Sequence, residues 1–311
     1  MTSYDEPPKM PQFAAPPRQT LSFLREKFEA AGIRPRTDIG QNFLIDLNLL
    51  HILLEAAELS SNDVVLEVGT GTGSLSALLA GRAASVITVE IDPRLHLLAA
   101  EHLHHLPNVT MLQTDVLQSK NRLNPLVLEA VDAQLNAAPG RCWKLVANLP
   151  YHIATPLISN LLTLEYPPQS MTVTLQRELA ERIVAPPGCK DYGSLSVWVQ
   201  AQCRVKILRV LPPEAFWPRP KVASAFLRIT LDPERRKRLA DREYFHEFIR
   251  VIFLHRRKML RAVLLSAVKN RFSKPEIDAL MERLHLNPSS RAEQLDIETL
   301  IALCEAVRQH P

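Results

Sequence analysis

The sequence predicts an α/β protein: a doubly wound, mainly parallel sheet followed by a small all-helical C-terminal domain. Three observations predict it. Short apolar runs alternate with segments of helical period from about residue 60 to residue 176. The first run ends in the cluster Gly69-Thr70-Gly71-Thr72-Gly73, as a buried parallel strand does on entering a turn. Beyond Pro233 the pattern is helical to the end. With 311 residues the chain suits one large domain and a smaller one.

Met1 to Arg18 holds five prolines and no apolar stretch, so residues 1–19 are expected to form a disordered leader rather than a secretory signal. Thr20 to Gly32 reads as a helix, with Leu21, Leu24 and Phe28 at helical spacing. Leu47 to Leu59 is a second. Val64 to Val68 is a strand, Leu75 to Gly81 a helix, Val86 to Ile91 a strand, Leu95 to Leu106 a helix and Val109 to Leu112 a strand. The stretch 121–141 must bridge two strands, with room for a helix over Val127 to Leu135. Lys144 to Ala147 is a strand, Ile153 to Leu164 a helix and Met171 to Gln176 a strand. Leu195 to Val210 and Ala223 to Leu231 read as longer strands, suited to an antiparallel pair at one edge. A linker is expected near Asp232 to Asp241, and one helix over about Glu243 to Ala267. The domains are thus 20–235 and 236–311.

Hydrophobic residues make up 46% and charged residues 23%, which fits a soluble globular chain. No apolar run is long enough for a membrane span. Cys142, Cys189, Cys203 and Cys304 form no C-x-x-C pair, so neither a zinc site nor a disulfide framework is expected. With the missing signal, this points to the cytoplasm. His102, His104 and His105 read as a solvated helix face, so no metal is expected. The net charge is +4. The runs Arg235 to Arg238 and Arg256 to Lys258 suit a solvated face or a nucleic acid, and charge alone leaves both open.

A bare glycine cluster is a tight turn before it is a ligand site. Here acidic residues follow it. Glu90 ends the next strand, where a carboxylate can accept two hydrogen bonds from a ribose diol. Asp115 closes the third strand, where it can accept from an adenine amine or serve merely as a loop or N-cap residue. The spacing G-x-G-x-G after Glu67, rather than G-x-G-x-x-G, favours S-adenosylmethionine over a nicotinamide cofactor. Gly69 and Gly71 supply the close backbone approach.

Asn148-Leu149-Pro150-Tyr151 ends the following strand, beside the expected pocket. Read without context it is a strand followed by a proline turn. In this register it fits methyl transfer to an exocyclic aromatic amine, whose lone pair is delocalised into the ring. The Asn148 side-chain carbonyl and the backbone carbonyl of Leu149 or Pro150 can each accept one amine hydrogen. That turns the lone pair toward a methyl donor, and catalysis becomes positioning and electrostatics. Tyr151 offers a ring to stack on the base. Phe216, in a loop stiffened by prolines, is the candidate second ring, or else a core anchor of that loop.

These segments resemble the ribosomal RNA small-subunit adenine dimethyltransferases, the family whose loss gives kasugamycin resistance in bacteria. The resemblance also covers Gly40 to Leu44, Gln176-Arg177-Glu178, Tyr192-Gly193, Ala215-Phe216, Arg256-Arg257-Lys258 and Arg291 to Leu295, from about Thr37 to Val307. It implies a Rossmann-like S-adenosylmethionine-dependent methyltransferase sheet. It also implies that Asn42 and Leu44 lie beside the donor, that Gly69 contacts it, and that Asn148 touches donor and target amine. Glu90 would bind the ribose and Asp115 the adenine end. The implied substrate is two adjacent adenines in the 3′-terminal hairpin loop of 16S rRNA, in an immature 30S subunit. A monomer with no membrane partner is expected. Ser76 departs from a frequent threonine, Ser194 from a frequent basic residue, and the stretch between Asp115 and Asn148 is longer than usual.

In the expected helix over Glu243 to Ala267, Phe245, Ile252, Met259 and Val263 share one face, and Arg250, Arg257 and Arg261 the other. Beside the resemblance, these arginines with Lys258 and Lys221 are expected to bind RNA phosphates. Two other readings stay in view: a dimethyltransferase of 23S rRNA of the macrolide-resistance type, and a non-catalytic assembly factor on the same scaffold. A dehydrogenase is a distant third.

Overall fold

The computed structural model describes residues 20–36, 40–268 and 271–310. The expected leader, residues 1–19, lies outside them. In chain order the elements are α1 (Leu21–Ala30), β1 (Phe43–Leu44), α2 (Leu47–Ala56), β2 (Asp63–Val68), α3 (Ser74–Ala80), β3 (Ser85–Glu90), α4 (Pro93–Leu103), β4 (Val109–Gln113), β5 (Leu117–Ser119), β6 (Arg122–Leu123), α5 (Pro125–Asn136), β7 (Cys142–Asn148), α6 (Tyr151–Leu161) and β8 (Ser170–Gln176). They continue with α7 (Arg177–Val184), α8 (Ser194–Gln200), β9 (Cys203–Leu211), β10 (Phe216–Trp217), β11 (Ser224–Leu231), α9 (Pro233–Lys237), α10 (Arg242–Leu254), α11 (Leu260–Ala267), α12 (Lys274–Arg283) and α13 (Ile297–Arg308).

The chain forms two compact units. The first holds the described residues up to Ala154, with Pro168–Thr174 and Leu211–Ala223. Its sheet has the order β4-β3-β2-β7-β8, and every neighbouring pair is parallel. β2 and β3 are buried along their whole length, which is why their sequences are mainly apolar without a regular polar alternation. The chain builds outward from β2 to β4, then returns to β7. The strand order therefore reverses between β2 and β7, and a crevice opens at their carboxyl ends. The helices start where side chains can cap them. Asp92 accepts from Arg94 N at 2.9 Å ahead of α4, and Asn124 from Leu126 N at 3.1 Å ahead of α5. In both helices proline takes the first position, where no amide partner is needed.

A satellite core steadies the rim of this unit. Leu24 and Phe28 of α1 pack with Ile33, Leu95 and Leu98, and Phe43 and Trp217 lie against them. The Phe28 ring meets those of Phe43 and Trp217 edge-on, with centroids 5.0 and 5.2 Å away. β1 and β10 pair antiparallel, Leu44 opposite Phe216.

The second unit holds Thr155–Pro167, Leu175–Val210 and the described residues from Ser224 onward. β11 and β9 are neighbours in it. Three expectations are corrected here. Leu195 to Gln200 is not the start of a long strand but the helix α8. Ser196 Oγ accepts from Gly193 N at 3.0 Å, which caps the turn. Trp198 is buried with its Nε1 donating to Ser159 O at 3.2 Å and its ring stacked on His246. The expected linker 232–241 contains the short helix α9. Its Arg236 is 8% exposed and donates to the carbonyls of Leu162 and Leu164 and to Gln202. A guanidinium so fully engaged fixes the segment. Finally, 243–267 is two helices. α10 stops at Leu254, and α11 starts at Leu260, whose N donates to Ser290 O at 2.8 Å. Met259 bridges to Arg291, and Arg256 donates to Tyr192 O at 2.6 Å. These tertiary bonds break the helix, so Met259 is 58% exposed instead of sharing the buried face of Phe245 and Ile252.

Candidate active site

The glycine turn leaves β2 through three residues of positive φ. Gly69 has φ +87° and Gly71 φ +58°, a region that residues with a Cβ rarely adopt. A Cβ on Gly69 would lie 3.4 Å from Pro150 Cδ, and one on Gly71 3.2 Å from Phe43 Cε1. The backbone is therefore closely walled from two sides. Gly71 N donates to Glu90 Oε2 and Asp92 N to Glu90 Oε1, both at 3.0 Å. Burial raises the Glu90 pKa, and those two amide bonds work against the rise. The carboxylate retains acceptor capacity beyond these amide bonds.

Beneath the turn, Glu67 is buried. Burial pushes its carboxyl up to about 8, although Ser76 and Thr88 both donate to it.

Across the crevice, β7 ends at Asn148. Its Nδ2 donates to Asn42 O at 2.8 Å. With the amide nitrogen so engaged, Oδ1 is left as the acceptor. Asn42 is itself held, donating from Nδ2 to Gly40 O at 3.1 Å. Leu149 N donates to Thr174 O at 3.1 Å, and Ile153 N donates to Pro150 O at 3.2 Å. Pro150 thus lends its carbonyl to the first turn of α6.

One cleft joins these parts, and it lies wholly in the first unit. The free space within it, part of it open to solvent, is about 690 Å³. Of the expected donor-binding residues, Asn42, Gly69, Gly71, Glu90, Asp115 and Asn148 line it. Asp115 is exposed, and its Oδ1 also accepts from Leu117 N at 2.9 Å, so it shapes the loop as well. Pro150 lines the cleft, whereas Leu44, Leu149, Tyr151 and Phe216 do not. Leu44 and Phe216 are buried, locked by their own strand pairing. Leu149 is buried and Tyr151 half-buried at the start of α6.

Sequence reasoning passed over Gln41, Ile91, Val116 and His152, which also line the cleft. Ile91 had a legible signal: it is an apolar residue directly after the acidic strand end, and it is 54% exposed. His152 had none, because only the fold of α6 brings it to Gly40.

Arg250, Arg257, Lys258 and Lys221 are exposed, as a phosphate contact requires. Arg261 is not free: both arms of its guanidinium engage the Asp278 carboxylate. No group of three His, Cys, Asp or Glu side chains gathers as a metal site among the described residues, and no helix there is long and apolar enough to cross a membrane.

A cleft of this form, at the strand-order reversal of a parallel sheet and between a glycine turn and an Asn-Leu-Pro-Tyr corner, defines a Rossmann-like methyltransferase. The family model for ribosomal RNA adenine dimethylase matches residues 32–307, and the chain belongs to that family. It is similar to a Ribosomal RNA small subunit methyltransferase A from Latilactobacillus sakei, 35% identical over 302 residues and 96% of each chain. A protein of that name from Clostridium botulinum is 38% identical over 270 residues, 87% of this chain and 93% of its own. Among solved structures, a dimethyladenosine transferase from Plasmodium falciparum superposes with a TM-score of 0.70 at 24% identity, over 83% of this chain and 94% of its own. The 23S rRNA methyltransferase ErmE gives 0.59 at 23% identity, over 86% and 100%. At such identity the two structures attest the fold.

Proposed function

We propose that the chain transfers methyl groups from S-adenosylmethionine to N6 of two adjacent adenosines, twice on each, in the 3′-terminal hairpin loop of 16S rRNA. The substrate on this reading is an immature 30S subunit in the cytoplasm, met by a monomeric enzyme without a metal. Family membership and the names of the 35–38% identical relatives support the substrate. The carrying observation is the bond from Asn148 Nδ2 to Asn42 O, which commits Asn148 Oδ1 to accept.

The cleft residues fit the donor. The Glu90 oxygens suit a ribose diol, exposed Ile91 and buried Val89 offer an apolar wall for a purine ring, and Asp115 can accept from its amine. Gly69 lets the backbone come close. S-adenosylmethionine supplies a methyl group on a good leaving group, so no base need act before transfer. Asn148 Oδ1 takes one hydrogen of the target amine. The second goes to the backbone carbonyl of Leu149 or of Pro150, the latter keeping one lone pair beyond its bond from Ile153 N. These two acceptors orient the amine lone pair. Tyr151 is the first stacking partner for the base. Phe216 would become the second only if RNA binding parted β10 from β1. Arg250, Arg257, Lys258 and Lys221 contact RNA phosphates, with Arg261 demoted by Asp278.

The test is transfer of labelled methyl groups to unmethylated small subunits, followed by primer extension on both ribosomal RNAs. Stops at the 3′-terminal hairpin of 16S rRNA are expected. Stops confined to 23S rRNA would transfer the reading to the macrolide-resistance type, and no transfer at all would leave an assembly factor.

A further inference from the structure

Four buried side chains beneath the glycine turn have no part in the reaction described above: Glu67, Thr70, Ser76 and Thr88. Ser76 Oγ and Thr88 Oγ1 both donate to Glu67 Oε2, the latter at 2.7 Å. Thr88 has one hydroxyl proton, and that bond uses it. At the 2.6 Å contact between Thr88 Oγ1 and Thr70 Oγ1, Thr70 must therefore be the donor. The relay has one direction: Thr70 to Thr88 to Glu67, with Ser76 closing on the same oxygen. Thr70 stands between Gly69 and Gly71, the two residues whose backbone faces the cleft.

We propose that Glu67 is a positioning residue for the methyl donor: through Thr88 it holds the Thr70 hydroxyl, and so sets the peptide planes of the glycine turn before the donor arrives. The inference rests on the reading of the cleft as a donor site. Its logic is conformational. A turn with glycine at 69, 71 and 73 has unusual backbone freedom, and ordering it on binding would weaken affinity. A side-chain tie to the strands on either side removes that cost in advance. Glu67 lies in β2 and Thr88 in β3, so the tie runs to the rigid sheet. Burial favours the neutral carboxyl, and with its proton on Oε1 the Oε2 atom still accepts both hydroxyls. A buried network of this kind is tolerated only when its members are satisfied, which makes it sensitive to one missing link.

Thr88→Val, Thr88→Ser and Glu67→Gln are compared with the unaltered protein. Calorimetry measures the S-adenosylmethionine Kd, and amide hydrogen exchange follows Gly69 to Gly73 in donor-free protein. Thr88→Val is expected to raise the Kd about tenfold and to speed exchange of the Gly71 amide, with kcat at saturating donor nearly unchanged. Thr88→Ser restores both. Glu67→Gln, whose amide oxygen still accepts two hydroxyls, keeps both near the original values. A Thr88→Val protein with unchanged Kd and unchanged turn exchange, but a lower melting temperature, would show mere packing and overturn the proposal. If Thr88→Val does not fold, Thr70→Val cuts only the last link, and original values there overturn it equally. An unaltered protein that binds no donor would remove the donor reading, and exchange at the turn still decides the relay. Donor bound equally by unaltered and Thr88→Val protein removes this inference alone.

Discussion

Asn148 is a small amide with two faces, and the fold has used one of them. Its nitrogen donates to Asn42 O, which orients the side chain and leaves the oxygen as its acceptor on the proposed reading. Asn148→Ala is expected to lower single-turnover methyl transfer by about 10²–10³-fold, the range for loss of one preorganised polar group. Donor Kd should change far less, because Gly69, Glu90 and Asp115 remain. A loss carried mainly by Kd would mean that Asn148 holds the donor and does not orient the amine. Glu67 makes a second prediction at this scale, in stability. Burial pushes its carboxyl from the ordinary 4.5 up to about 8. Between those values the folded chain binds a proton that the unfolded chain has released. This contribution is therefore full below about pH 4.5 and is lost as pH rises toward 8, by a few kcal/mol at ~1.4 per unit. Melting curves at pH 6 and pH 9 should show Glu67→Gln losing less on the alkaline side than the unaltered protein. Parallel losses would place the carboxylate's ionisation elsewhere.

At the scale of elements, strands buried on both faces were the easiest to read. β2 and β3 are mainly apolar runs that stop at a glycine cluster and an acid. α8 was misread because Leu195, Val197 and Val199 alternate like a strand. Its cap at Gly193 and Ser196 is local, but Trp198 is anchored by Ser159 and His246, far along the chain. The break between α10 and α11 was illegible for the same reason. No proline or glycine marks it, and its causes are backbone bonds to Ser290 and Arg291. In the site, residues at strand ends were legible because strand ends converge in a doubly wound sheet. Residues on the first turn of α6 or in the loop before β1 were not, save where the family resemblance named them. The broken helix bears directly on RNA binding. Arg257→Gln and Lys258→Gln are expected each to weaken RNA binding and to lower the slope of log K against log salt by roughly 0.7–0.9. Arg261→Gln should leave that slope nearly unchanged, since Asp278 already neutralises it. A large slope change at Arg261 would mean that phosphate displaces Asp278.

For the molecule as a whole, the division into two units separates donor chemistry from the rest of the chain. Every residue lining the cleft belongs to the first unit. S-adenosylhomocysteine, the spent donor, at 100-fold over its Kd should stabilise the folded chain by about 2.7 kcal/mol. Protection from hydrogen exchange should concentrate on the glycine turn, the end of β3 and the Asn42 segment. Equal protection throughout α10 to α13 would argue for a binding site outside the cleft.

The pairing of β1 with β10 also dictates when the cleft can exist. Phe43 and Leu44 are clamped by Phe216 and Trp217, so the brace behind Asn42 comes from much later in the chain. A nascent polypeptide that already carries the glycine turn, Glu90 and Asn148 still lacks that brace until Trp217 has emerged from the ribosome. Contacts spanning so much sequence form late and slowly. Affinity for the donor should therefore switch on abruptly during translation, and fragments ending before Trp217 should bind it poorly despite holding every residue that lines the cleft.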